Sequence, residues 1–233
     1  MPERDAPGAS DAAEPGWLIA RPGAPTGPAP TGLHALGGAG RPAGLLYVPP
    51  SYAPERPAPF TLMLHGAGSN AERVVTPMRE WADGTGLILF APNSRAATWD
   101  VLHGGFGPDV AVIDRALHDV FGRYAVDPAH LAIEGFSDGA SYALSLGLTN
   151  GDLFTHIIAC SPGFAAPAAQ RGRPRIFVSH GRQDPVLPIE PCSGRIVPAL
   201  LLGGYDVRFE PFEGGHTMPP AIVRAALDWF LGE

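Results

Sequence analysis

A serine between two glycines, in Gly135-Phe136-Ser137-Asp138-Gly139, is the feature of this sequence with the clearest chemical meaning. It fits the pattern G-x-S-x-G, in which the serine lies on a strained turn between a strand and a helix. Residues without a Cβ atom flank such a turn because space there is short. The turn brings the hydroxyl to a helix N-terminus, where N–H groups can bind an oxyanion. We predict Ser137 as a nucleophile; the alternative is a glycine-rich turn without chemistry.

The partners of a serine nucleophile come from later parts of the chain. A free hydroxyl reacts poorly at neutral pH, so it needs a base, and the base needs a group on its other nitrogen. His216 lies in a glycine-rich segment after the alternating run 207–212, and Asp184 follows the apolar run 176–178. We predict that Ser137, Asp184 and His216 form a catalytic triad. The alternative for His216 is a surface loop histidine.

Other acids and histidines compete for these roles. Asp152 and Asp206 each precede a predicted strand, which puts them at the wrong edge of the sheet for a partner of Ser137. His65 precedes the serine motif, and we favour a structural role for it. We favour a structural role for His180 as well.

The segment His65-Gly66-Ala67-Gly68 directly follows an apolar run and predicts an oxyanion-binding loop. The two predicted donors are the backbone N–H groups of Ala67 and Asp138. A glycine- and aromatic-rich segment, 98–107, supplies a candidate substrate pocket. Its residues Trp99, His103 and Phe106 could equally serve packing.

The elements that must position these residues alternate along the chain. Short runs that are apolar on both faces predict central parallel strands at 60–64, 87–90, 131–133, 157–159 and 176–178. Amphipathic segments predict helices at 70–82, 109–123, 139–148, 190–202 and 219–231. Asp109 is the predicted N-cap of the second helix. Residues 207–212 predict a last strand.

The beginning of the chain has a different pattern. Residues 33–36 and 45–48 flank a glycine-rich turn and predict an antiparallel pair, and residues 17–20 could form a first edge strand. The whole order predicts an α/β fold with a mostly parallel, doubly wound sheet and an antiparallel start.

Length and composition limit the number of domains and the kinds of partner that we expect. The 233 residues suit one domain at 17–233, preceded by a mobile Pro/Gly-rich tail at 1–16. The net charge of -7 and the lack of a Lys/Arg cluster argue against nucleic acid or an anionic membrane as partner. The apolar runs are too short for a membrane span. No signal peptide is visible, so we expect a cytoplasmic location; the oligomeric state is open.

The sequence contains no motif that indicates a cofactor or a metal site. Histidines are scattered, no nucleotide-binding fingerprint occurs, and Cys160 and Cys192 are far apart. We therefore expect no cofactor and no metal. The two cysteines read as free thiols, one at a buried strand and one near a helix start, although a single bridge is an alternative.

Together, these motifs resemble the α/β-hydrolase superfamily over about residues 45–231. The chain order Ser137, Asp184, His216 is the order of that fold. Within it, the sequence is similar to bacterial phospholipase/carboxylesterase-type and polyhydroxybutyrate-depolymerase-like serine esterases. The resemblance implies about eight strands, helices on both faces and hydrolysis of carboxylic or thioesters without a cofactor. The residue after the nucleophile is often Gln in these esterases, whereas here it is Asp138.

The expected function is cleavage of small-molecule carboxylic esters through an acyl-enzyme. Segments 91–108 and 162–174 are too short for a large cap domain, which predicts an open, shallow site for short or soluble acyl chains. A thioesterase or lysophospholipase would use the same triad, while a peptidase is less favoured. A binding protein on a hydrolase fold is the alternative from another class, but such proteins usually lack a triad member.

Overall fold

The computed structural model describes residues 14–37 and 42–232. One eight-stranded sheet runs through this part of the chain in the order β1-β2-β4-β3-β5-β6-β7-β8. The strands are β1 (Gly32–Leu36), β2 (Gly44–Val48), β3 (Ala58–Leu64), β4 (Ile88–Pro92), β5 (Val126–Phe136), β6 (His156–Cys160), β7 (Arg175–Gly181) and β8 (Val207–Phe212). Only β1–β2 and β2–β4 pair antiparallel. The predicted parallel sheet with an antiparallel start is confirmed.

Helices cover both faces of the sheet, as predicted. They are α1 (Ala71–Thr85), α2 (Pro108–Phe121), α3 (Asp138–Thr149), α4 (Ser193–Leu202) and α5 (Pro220–Leu231). The apolar sides of α2, α3 and α4 pack on one face of the sheet, and those of α1 and α5 pack on the other. This two-sided cover explains why the central strands are apolar throughout.

Neighbouring strand residues alternate between these two cores. Leu62 and Ile133 belong to the core under α2, α3 and α4, whereas Met63 and Ala132 belong to the core under α1 and α5. All four side chains are no more than 1% exposed. The long strand β5 lies between β3 and β6, so its carboxyl end opens at the middle of the sheet.

The prediction of a first edge strand at residues 17–20 is wrong. This segment has no strand partner among the described residues, and the N–H groups of residues 18–20 bind side chains instead. Leu18 donates to Asn150 Oδ1, and Ile19 and Ala20 donate to Asp114 Oδ1. The segment is a strap held across helices α2 and α3 by polar side chains far away in sequence.

The predicted N-cap role of Asp109 is also wrong, because α2 starts one residue earlier and its N-cap is Gly107. Asp100 Oδ2 accepts hydrogen bonds from the N–H groups of Gly107 and Asp109 and so stabilises the start of α2. Asp109 is buried and accepts hydrogen bonds from the N–H groups of Arg95 and Asp100. Its desolvation raises the pKa of this carboxyl despite those bonds.

The remaining expectations concern the chain ends and the loops. Most of the tail predicted at 1–16 lies outside the described residues. Within the described residues, no separate cap domain covers the sheet, and no helix is long and apolar enough to cross a membrane. Cys160 ends β6 and Cys192 precedes α4, both as buried free thiols, as predicted.

Candidate active site

Ser137 lies on a sharp turn between β5 and α3. Its backbone angles are φ 58° and ψ -120°, in a region that residues with a Cβ atom rarely adopt. The turn is held by its N–H, which donates to the carbonyl of Cys160 at 2.9 Å. A Cβ at Gly135 would lie 2.2 Å from the Gly139 oxygen, and one at Gly139 would lie 2.1 Å from the Leu64 oxygen. Both glycines of the motif are therefore required by close backbone approach.

Asp184 and His216 form a short hydrogen bond. The imidazole Nδ1 lies 2.6 Å from Asp184 Oδ2, so Nδ1–H donates and Nε2 is left to accept a proton. The Asp184 side chain is fully buried, and that of His216 is 15% exposed. This buried carboxylate fixes both the tautomer and the orientation of the imidazole.

The other carboxylate oxygen of Asp184 is bound by the backbone. Oδ1 accepts the N–H groups of Val186 and Leu187, both at 2.8 Å. Burial opposes ionisation, but the hydrogen bonds from His216, Leu187 and Val186 outweigh it and hold the pKa of Asp184 below its usual value. The carboxylate therefore stays charged at neutral pH and can stabilise a cationic imidazole.

Backbone contacts join the two loops that carry this pair. Arg182 N–H donates to the Phe212 carbonyl, and Gln183 N–H donates to the Gly214 carbonyl, both at 2.9 Å. The chains approach so closely that a Cβ at Gly181 would lie 2.2 Å from the Gly215 oxygen. The loop after β8 is thereby fixed against the loop after β7, and the carboxylate–imidazole pair is built into the fold.

The predicted oxyanion donors come from the loop after β3 and from the start of α3. Ala67 follows β3 and Asp138 is the first residue of α3. Within the described part of the chain, neither N–H group donates a backbone hydrogen bond. The Asp138 side chain is used elsewhere, because Oδ2 accepts the hydroxyl of Thr98 at 2.7 Å.

The two histidines that were expected to be structural bind loop groups. The ring of His65 contacts the Gly66 carbonyl through Nδ1 and accepts the N–H of Ser94 through Nε2. His180 is fully buried between the Ser193 hydroxyl and the Leu187 carbonyl, at 2.7 Å from each. Its Nε2 also lies 3.4 Å from Asp184 Oδ2, so His180 helps to enclose that carboxylate.

The rejected acids lie away from this pair. Asp152 pairs with Arg21, and Asp206 pairs with Arg175, both in exposed ion pairs. Both acids precede strands, as the sequence indicated, and Asp184 is the acid in contact with His216.

A cleft of about 630 Å³ contains Ser137 and His216 in its wall. It runs between α1 and α5 and is lined mainly by apolar side chains: Val74, Pro77, Met78, Trp81, Phe136, Met218 and Val223. Ala67 lies in the same wall. Among the hydrogen bonds of the described residues, none joins Ser137 Oγ to His216. Such contacts are often loose before substrate binds.

The predicted pocket of Trp99, His103 and Phe106 needs correction, because none of the three lines this cleft. Trp99 is fully buried, donates Nε1–H to the His65 carbonyl at 2.8 Å and stacks on Tyr142. Phe106 also packs against Tyr142, and His103 is exposed. Trp99 therefore supports the His65 loop by a hydrogen bond and by ring contact.

Among the residues of the cleft that the sequence analysis did not single out, one is acidic. Glu134, three residues before Ser137 on β5, lines the cleft together with apolar side chains. A signal was available, since a single acid in the run Leu131-Ala132-Ile133-Glu134 interrupts an otherwise apolar central strand.

Comparison with known proteins gives related folds. The crystal structure of esterase PE8 superposes with a TM-score of 0.63 and 26% identity, over 79% of this chain and 97% of that one. A phospholipase/carboxylesterase from Dyadobacter fermentans DSM 18053 superposes with a TM-score of 0.62 and 17% identity, over 88% and 99% of the two chains. No protein-family model matches the sequence.

The chain has the α/β-hydrolase fold. A curated relative from Nocardia uniformis subsp. tsuyamanensis, named "Putative esterase NocK", is 27% identical over 146 residues. That match covers 58% of this chain and 42% of the relative, so the matched region spans less than half of the relative's length. The matched α/β-hydrolase structures and the relative are described as esterases or carboxylesterases.

Proposed function

We propose that this α/β hydrolase is a serine esterase that cleaves small-molecule carboxylic esters through an acyl-enzyme. Ser137 attacks the ester carbonyl while His216 Nε2 accepts its proton. Asp184 holds the imidazole and stabilises its positive charge. The N–H groups of Ala67 and Asp138 bind the oxyanion. The alcohol leaves with the proton from His216, and water then releases the acid by the same steps in reverse order.

One observation carries this proposal: the buried 2.6 Å hydrogen bond between Asp184 and His216, whose imidazole shares a cleft with the strained Ser137. The buried carboxylate and the imidazole together form a base, and the strained turn presents a hydroxyl to the same cleft. The esterase names of the matched proteins agree with this chemistry.

The test is hydrolysis of p-nitrophenyl acetate and butyrate by the wild type and two serine variants. Ser137→Ala should lower kcat by about three orders of magnitude or more. Ser51→Ala removes an exposed hydroxyl on a surface turn and should leave kcat and KM unchanged. Activity retained by Ser137→Ala would refute the proposal.

The shape of the cleft supports a preference for short or soluble acyl chains. The cleft is open to solvent, and Glu134 lies in its otherwise apolar wall, where a long alkyl chain would cover a polar group without binding it. A p-nitrophenyl ester series should show kcat/KM falling beyond medium acyl lengths. A clear preference for acyl chains beyond about ten carbons would contradict this preference. Rates with thioesters and lysophospholipids in the same panel distinguish a carboxylesterase from a thioesterase and from a lysophospholipase.

A further inference from the structure

Glu134 is the acidic side chain in the wall of the cleft. Within the described residues it takes part in no ion pair or side-chain hydrogen bond. Its strand neighbours in register are Met63 on β3 and Ile158 on β6. A carboxylate in such surroundings loses much of its hydration without receiving a protein donor in return.

Glu134 lies on the strand that leads to Ser137 and lines the same cleft. Residues 132, 134 and 136 of β5 share the face covered by α1 and α5, and the gap between these helices is the cleft. Glu134 and Ser137 are three residues apart, so their Cα atoms are separated by at most roughly 10 Å. A substrate arm of moderate length on the reacting ester can reach the carboxyl group.

Resting on the proposed esterase function, we propose that Glu134 is a specificity-determining residue that selects esters carrying a cationic ammonium group on one arm. Inside a partly enclosed apolar cleft, a cation close to an unpaired carboxylate gains more than it would in water. The substrate would thereby supply the counter-charge that the protein does not.

Other charged and titratable groups around the cleft do not replace the substrate in this role. Arg73 on α1 lines the cleft as an exposed side chain, and no ion pair of the described residues joins it to Glu134. His65 and His216 line the same cleft. Cys160 faces Glu134 from β6, and burial raises the pKa of its thiol to about 12, which keeps it neutral. Burial likewise raises the pKa of Glu134 to about 7, with no opposing charge that lowers it.

The experiment uses pairs of esters that differ only in charge. A trimethylammonium group and a tert-butyl group have nearly the same shape, so each cationic ester has a neutral isostere. One series carries this group at the end of the acyl chain, with a short, a medium or a long spacer. The other carries it on the alcohol, as in choline esters and 3,3-dimethylbutyl esters. The measured quantity is the ratio of kcat/KM for the cationic ester to kcat/KM for its isostere.

The wild type should favour the cationic ester by about tenfold or more at one spacer length in one series. Glu134→Gln should lose that preference, and Glu134→Asp should keep part of it. Glu80→Gln, which removes an exposed charge from α1 outside the cleft, should keep all of it. In the wild type the ratio should rise with pH through about 7 as Glu134 ionises.

A ratio that is the same in the wild type and Glu134→Gln for both series would overturn this inference. Ser137-dependent hydrolysis of the neutral isosteres reports on the proposed function separately. If those esters are cleaved and the ratios do not change, the role of Glu134 fails alone. If no ester of either series is cleaved, both proposals fail together.

Discussion

Asp184 Oδ2 and His216 Nδ1 lie 2.6 Å apart, although 32 residues separate them in the chain. Their proximity follows from the sheet, because β7 and β8 are parallel neighbours and each residue follows the carboxyl end of its strand. The backbone bonds between the two loops then fix the pair independently of substrate. This relationship makes the roles of individual side chains testable.

Replacing Asp184 by Asn should lower kcat by about 10³ to 10⁴, because the amide favours the wrong tautomer of His216. Asp206→Asn is the matched control, since this acid lies in an exposed ion pair and should change neither kcat nor KM. Steady-state kinetics on one ester compares both variants. Equal activity of Asp184→Asn and the wild type would show that the carboxylate has no part in the reaction.

Replacing Gly139 by Ala should prevent the turn at Ser137 from forming. The new Cβ would lie 2.1 Å from the Leu64 oxygen, so backbone atoms of the strand or the helix must move. We expect a loss of several kcal/mol in the free energy of unfolding and loss of hydrolysis. In Gly84→Ala, by contrast, the added Cβ meets nothing within 4 Å inside α1. That variant should gain about 0.5–1 kcal/mol. Urea unfolding measures both, and a fully stable Gly139→Ala enzyme would contradict the crowding argument.

Replacing Glu134 by Gln should change how stability depends on pH. In the unfolded chain a Glu carboxyl has a pKa of about 4.3, and burial raises the pKa of Glu134 to about 7 in the folded chain. The folded state therefore favours the protonated form. Its stabilising contribution is complete below the unfolded pKa and is lost as pH rises through about 7. Above pH 8, Glu134→Gln should be more stable than the wild type by roughly 1–3 kcal/mol.

Urea unfolding at pH 5 and pH 8 tests this dependence on pH. The difference in free energy of unfolding between Glu134→Gln and the wild type should be larger at pH 8. All other titrating groups are shared by the two proteins and cancel in that difference. A difference that is the same at both pH values would mean that Glu134 ionises normally.

Trp99→Phe should affect stability more than substrate selection. The variant removes the hydrogen bond from Nε1 to the His65 carbonyl and should cost about 1–3 kcal/mol in free energy of unfolding. His103→Ala, in the same segment but exposed, should stay within about 0.5 kcal/mol of the wild type. In both variants the ratio of kcat/KM between acetate and butyrate esters should stay the same. A changed ratio of kcat/KM in Trp99→Phe would indicate that this segment contributes to the substrate pocket after all.

The fold, the strained turn at Ser137 and the loop positions of Asp184 and His216 could be predicted because their signals are local. Apolar runs of strand length, helical periodicity and the G-x-S-x-G turn each depend on a few adjacent residues. The segment 17–20 has the same apolar character as a strand, but its hydrogen-bond partners, Asn150 and Asp114, lie far away in sequence. No local pattern distinguishes such a strap from an edge strand.

The lining of the cleft was the least predictable part, because it depends on which way a loop turns. Trp99 is aromatic and contacts the His65 loop, but its side chain is fully buried and does not line the cleft. The true wall comes from α1 and α5, whose residues Met78 and Val223 resemble ordinary core positions in sequence. Among the residues of this wall, Glu134 can be recognised from the sequence, because it is an acid in an otherwise apolar strand.

The most direct test of the proposed triad is covalent labelling with a fluorophosphonate, followed by peptide mass spectrometry. We expect one equivalent of label on Ser137 in the wild type and in Ser51→Ala, and none in Ser137→Ala. Labelling of His216→Asn should be slower by orders of magnitude, because the hydroxyl has lost its base. Label on another residue, or equal labelling of the wild type and His216→Asn, would contradict the assignment of nucleophile and base.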